Sequence, residues 1–129
     1  MWAVTATTAR CLIRDLDELL VEEVTDPDEG RVYRPLGRDV RADESPEEAV
    51  REAFRETLGV DLSWVTVLGD YDGVRVFEAS VDDRWLYDET GVTVYDPDTE
   101  ETTRLAWLHV EDFEKYGEVL RPEGLLDDL

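Results

Sequence analysis

One cysteine, one lysine, one histidine and one methionine are all that these 129 residues contain of those four types. The lone Cys11 excludes an intrachain disulfide and any cysteine-based metal cluster. Between Arg10 and Leu12 in a strand-like run, it reads as a small buried apolar side chain. The lone His109 leaves no second histidine for a nucleophilic dyad. Beside Trp107 at the end of an apolar run, it is expected to serve structure or the edge of a substrate site rather than act as a general base. Long hydrophobic runs are missing too. None approaches the roughly 20 residues that cross a bilayer, and MWAVTATTAR lacks the basic-then-apolar order of a signal peptide. A cytoplasmic protein is therefore expected, without a membrane partner.

Lysine is scarce but acid is not. Asp and Glu number 34 against 13 basic residues, for a formal charge of -21. Such a surface repels nucleic acid phosphates and anionic lipid, which excludes both as partners. Carboxylates in excess with almost no lysine suit a halophilic setting, where molar salt screens self-repulsion within about 3 Å. The acidity then reads as an adaptation to solvent, and it discounts any acidic motif, because at this density most spacings recur by chance. Asp26/Asp28, Asp70/Asp72 and Asp96/Asp98 resemble pieces of calcium loops. None continues with the glycine and distal glutamate of an EF-hand, so all three are expected to be turns.

With 42% hydrophobic residues, the chain fits a single domain over 1–129. Residues 7–13 and LLVEEV (19–24) predict an antiparallel hairpin across the turn RDLDE. A loop TDPDEGR precedes an extended VYRPLG. A helix is then specified at both ends: Ser45 as cap, Pro46 in the first turn, Glu48 closing a capping box, and Gly59 as a left-handed stop. Ala49, Val50, Ala53, Phe54, Thr57 and Leu58 recur at helical spacing, so this face is buried and the carboxylates point away. WVTVLG and VRVFEASV read as strands joined by DYDG, and TRLAWLHV as a strand followed by a short helix EDFEKY. Residues 82–95 carry no clear period. The tail is expected to fold back through Leu120, Leu125 and Leu126, and Trp2, Trp64, Trp85 and Trp107 to lie in the core or in pocket walls.

The segment PLGRDVRADESPEEAVREAFRETLGV resembles the stretch spanning the Nudix box, G-x5-E-x7-R-E-U-x-E-E-x-G-U with U aliphatic. The order of the hairpin, YRPLG, the helix, LAWLHVEDF and RPEGLL is also similar to Nudix domains. That resemblance implies an α/β fold, a Nudix-type α/β/α sandwich with a mixed sheet. It implies hydrolysis of a diphosphate linkage in a nucleotide or related small metabolite with Mg²⁺ or Mn²⁺, and a possible homodimer. Glutamates one turn apart on a helix share a face, and Mg²⁺ takes one or two carboxylates with substrate phosphates and water.

Aligned without gaps on Gly59 and Val60, the chain keeps Glu44, Phe54 and Glu56 of that box. It places Arg38 at the first glycine, Glu52 at the arginine, and Ala53 and Thr57 at two of the three helix glutamates. A register shifted by one restores Gly37, Asp43 and the pair Arg51-Glu52, but puts Arg55 at a ligand position and needs an extra residue before Gly59. The first keeps Phe54 and Leu58 better in the buried stripe. The resemblance assigns Glu56 and Glu52 to catalysis, and Glu56, Glu52 and Glu44 to metal. Arg31, Arg34 and Arg38 are basic points near this segment, and Arg34 and Arg38 are the candidates for a substrate phosphate. The alternative function is a Nudix-type module that binds a nucleotide or a protein without catalysis. Non-phosphate chemistry on the same fold has no positive support in these residues.

Overall fold

A computed structural model describes residues 7–129. The N-terminal strands obey the pattern read from sequence. β1 (Thr8–Asp15) and β2 (Glu18–Asp26) form an antiparallel hairpin, with Ile13 opposite Leu20 and Asp15 opposite Glu18. The extended VYRPLG is two strands, β3 (Gly30–Arg34) and β4 (Leu36–Asp39), which pair with β2 and β1 respectively. Pro35 stands at the change of partner, where a missing N–H costs the ladder nothing.

Helix α1 (Pro46–Leu58) begins and ends as its sequence dictates. Ser45 accepts from the Glu48 N–H, Glu48 reaches back to the Ser45 N–H, and Gly59 takes φ 69°. β5 (Leu62–Tyr71) and β6 (Val74–Val81) follow across Asp72 and Gly73, both with positive φ. The aperiodic segment after them resolves into a single turn, α2 (Trp85–Asp88), and an edge strand, β7 (Gly91–Asp96). β8 (Glu101–His109) and α3 (Val110–Glu114) close the order, with a 3₁₀ turn at Leu126–Asp128. The eight strands form one mixed sheet: six run in the order β5-β6-β1-β2-β8-β7, β3 adds to β2 and β4 to β1, and β1 and β6 pair in parallel.

Strand alternation sorts the core into two layers. Cys11, Ile13, Leu20, Phe77 and Leu105 pack with Val50 and Phe54 of α1 and Leu86 of α2. Leu12, Leu19, Val21 and Val76 pack on the other face with Phe113 of α3 and with Leu120 and Leu125 of the tail. The result is an α/β/α sandwich, and the tail folds back as expected. Cys11 is fully buried.

The three Asp pairs are turns: the Asp26 carboxylate accepts from the N–H groups of Asp28 and Glu29, Asp96 accepts from Asp98, and Asp72 sits at the β5–β6 reversal. The tryptophans divide. Trp107 is half-buried, stacks on Tyr87 and donates Nε1–H to the Leu86 carbonyl. Trp64 departs from the expectation, being 86% exposed. It lies at φ 58° where the β5–β6 register shifts, so the irregularity turns its side chain out of the alternation. Trp85 opens the short α2 and is also exposed. Trp2 lies outside the described residues. No helix among the described residues is long and apolar enough to cross a membrane.

Candidate active site

Where β4 delivers the chain to α1, Arg38 and Glu44 of the segment singled out in sequence are in contact, and Glu52 and Glu56 of α1 lie close enough for their charges to act on Arg38. Both terminal nitrogens of Arg38 donate to the two carboxylate oxygens of Glu44. The Arg41 N–H adds a third bond to Glu44, at 2.9 Å. The Arg38 bond first, and the Arg41 N–H after it, hold the Glu44 carboxyl down at about 2. Reciprocally, the bond to Glu44 raises the Arg38 pKa, and the charges of Glu56 and Glu52 add to it. The guanidinium is therefore the positive centre of this carboxylate group. Its Nε is buried without a hydrogen-bond partner.

The two helix carboxylates differ. Glu52 accepts from Arg55 at 2.6 Å, and Arg55 also donates to Asp61 at 3.1 Å. Glu56, one turn further on, is exposed and borders a cavity of about 470 Å³ between the end of α1 and the β7–β8 hairpin, with Thr57, Tyr95, Asp96 and Thr103 also on its walls. Among the described residues, no group of three or more Asp, Glu, His or Cys side chains gathers closely enough to hold a metal ion. Glu44, Glu52 and Glu56 are thus arranged around Arg38 and do not converge on a common point.

Arg34 is elsewhere. It donates to Glu22 at 3.1 Å and lines a different cavity. Arg31 pairs with Glu118 at 3.2 Å. His109 caps α3: its Nδ1 accepts from the Glu111 N–H at 3.0 Å, while Asp112 accepts from the His109 N–H. Arg10 was not visible as a site residue, since it sits inside a strand pattern. The structure buries it against Glu22 and the Pro35 carbonyl.

No family model matches the chain, and no curated protein does. Solved structures do. A NUDIX hydrolase from Nitrosomonas europaea superposes with a TM-score of 0.65 at 16% identity, over 96% of this chain and 85% of that one. The chain has the Nudix fold. A NUDIX-family hydrolase from Clostridium perfringens matches with a TM-score of 0.60 at 18% identity, over 95% and 92% of the two chains. The E. coli ORF135 protein matches at 0.59 and 20%, over 94% and 85%. In this Nudix fold, the capped helix α1 is the element that carries Glu52 and Glu56.

Proposed function

We propose that the chain is a Nudix-type hydrolase that cleaves a diphosphate linkage in a nucleotide or related small metabolite. The observation that carries the reading is Glu56, an exposed carboxylate one helical turn from Glu52 at the rim of the cavity under the β7–β8 hairpin. An uninterrupted α1 running into Gly59, with Phe54 fully buried, supports the ungapped register of the box.

Glu52 and Glu56 stand one helical turn apart and, with Glu52 released from Arg55, would hold a divalent cation as Mg²⁺ favours, by two carboxylates completed by substrate phosphates and water. The Arg55 partner of Glu52 is itself about half exposed, with 55% of its side chain accessible, so it can release that carboxylate at small cost. When bound, Mg²⁺ or Mn²⁺ neutralises phosphate charge and positions water. Glu44 does not fit as a ligand, because Arg38 and the Arg41 N–H occupy its oxygens. Its role in this reading is to fix Arg38, which offers positive charge beside the helix carboxylates.

The test is phosphate release from a panel of nucleoside diphosphate derivatives in molar salt, with Mg²⁺ or Mn²⁺ and with a chelator. Release should require the metal and fall by about 100-fold or more in Glu56→Gln. Undiminished turnover in that variant removes Glu56 from the mechanism. A second reading, a phosphate-ligand binding module without catalysis, is favoured by one specific observation: arginines engage both Glu44 and Glu52. It calls for ligand binding that survives chelation and for no release from any substrate.

A further inference from the structure

The edge strand β5 departs from the rest of the chain in charge and in backbone. Residues 62–69, LSWVTVLG, carry no Asp, Glu, Lys or Arg, and no stretch of the described residues goes longer without one, in a chain that is 36% charged. This stretch lies in β5, which pairs with β6 on one side and with no strand on the other. Open edges invite association, and proteins commonly guard them with charged side chains. β5 holds its one acid, Asp70, at its far end.

Trp64 adds a cost that the single chain does not recover. It holds φ 58°, a left-handed backbone that a bulky side chain adopts against steric resistance, and the indole so delivered is 86% exposed. Strain that only brings an apolar ring into water is offset when a partner buries that ring. Tryptophan is enriched among the residues that anchor interfaces in this way.

A receiving surface lies beside it. By strand alternation Arg14, Glu78 and Ser80 share a face of the sheet with Leu12 and Val76. α3 and the tail cover that face over Leu12 and Val76. Toward Arg14 it stays open, as a shallow cavity of about 350 Å³ lined by Arg14, Trp64, Thr66, Glu78, Ala79 and Ser80. One guanidinium and one carboxylate leave this cavity without net charge. Arg14 donates its Nε–H to the neutral Leu16 carbonyl at 3.3 Å, and guanidinium groups stack well on indole faces. Leu16, 88% exposed, adds an apolar side chain beside Arg14.

Charge selects the occupant. A basic partner is drawn to carboxylates, and a neutral strip offers it little. A strongly acidic partner can approach only where few carboxylates face it, and a second copy of this chain, also at -21, presents the same neutral strip in return. Two-fold contact uses one patch twice, so each copy gives an indole and receives one. The sequence resemblance allows a dimer but names no surface for it. We propose that the β5 end of the sheet is a homodimer interface, in which Trp64 of each copy enters the cavity of the other and lies against the partner's Arg14. The interface rests on no property of Glu56 and stands whether or not the chain hydrolyses anything.

Sedimentation of the full chain in molar KCl, from micromolar to millimolar concentration, tests it. A reversible passage from one chain to two is expected, and it should tighten as added KCl screens the charge of -21. Trp64 emission, taken as the difference from Trp64→Gly, should move to shorter wavelength over the same range, while the dilute chain keeps the ring in water. Trp64→Gly should hold the protein to single chains. Glycine accepts that backbone freely, so the thermal midpoint of this variant in dilute solution should be no lower than that of wild type, which separates a lost interface from a lost fold. Arg14→Gln should weaken dimerisation by about tenfold. Tyr116→Ser, which removes an exposed ring just after α3, should leave it unchanged. Single chains at every concentration, with Trp64 emission fixed, overturn the second copy as occupant and leave the strip to a foreign partner. A dimer unmoved by both Trp64→Gly and Arg14→Gln overturns the surface.

Discussion

Glu44 keeps its charge because two arginines hold it. Its carboxyl, ordinarily near 4.5, titrates at about 2 in the fold. A depressed folded-state pKa contributes stability that is full above the unfolded value and is lost as pH falls through the folded one. The Arg38–Glu44 contribution should therefore be complete above about 4.5 and vanish by about 2. Urea unfolding in constant salt checks this. Glu44→Gln should be less stable than wild type at neutral pH, and the gap should close across that window; a gap independent of pH would mean that the pair adds nothing. The acid at 44 was readable in sequence, but its partner was not. Arg38 looked like a substrate ligand, and only the path of β4 brings both its terminal nitrogens onto Glu44.

Elements differed in legibility according to how local their determinants are. Helix α1 was fully readable because Ser45, Pro46, Glu48 and Gly59 act within a few residues of the backbone they cap. The break between β3 and β4 was not, since a change of pairing partner at Pro35 is decided by β1 and β2. β7 was hidden for a similar reason: short and polar, it exists through pairing with β8 alone. Two substitutions rank local against tertiary determinants. Ser45→Ala should cost about 1 kcal/mol. Gly37→Ala should cost more, because its new methyl would meet the Ala9 carbonyl oxygen at 2.1 Å and the backbone must give way. Thermal unfolding of both variants gives the order, and a reversed ranking would show that β4 can shift away from β1 freely.

Across the molecule, the charge of -21 sets the conditions for folding. Many carboxylates sit on exposed turns and strand ends, where solvent and ions are their main company. Raising KCl from about 0.1 M to about 1 M shortens the Debye length from about 10 Å to about 3 Å, so mutual repulsion falls and the midpoint of thermal unfolding should rise. A flat or falling midpoint would sink the reading of this surface as an adaptation to salt. The three-layer order was legible at this scale from the succession of elements. The parallel pairing of β1 with β6 was not, because it joins segments more than 60 residues apart and has no local signature.

The outward turn of Trp64 gives the protein a built-in optical contrast. An indole bathed in water emits at longer wavelength than one enclosed by apolar groups, and it meets dissolved quenchers freely. Trp64 and, less fully, Trp85 are of the first kind, while the half-buried Trp107, laid against Tyr87 and tethered to the Leu86 carbonyl, lies nearer the second. The surrounding carboxylates add a filter of their own, since an anionic quencher is repelled where a neutral one is not. A neutral quencher should therefore extinguish Trp64 before Trp107, and an anionic one should act more weakly on both.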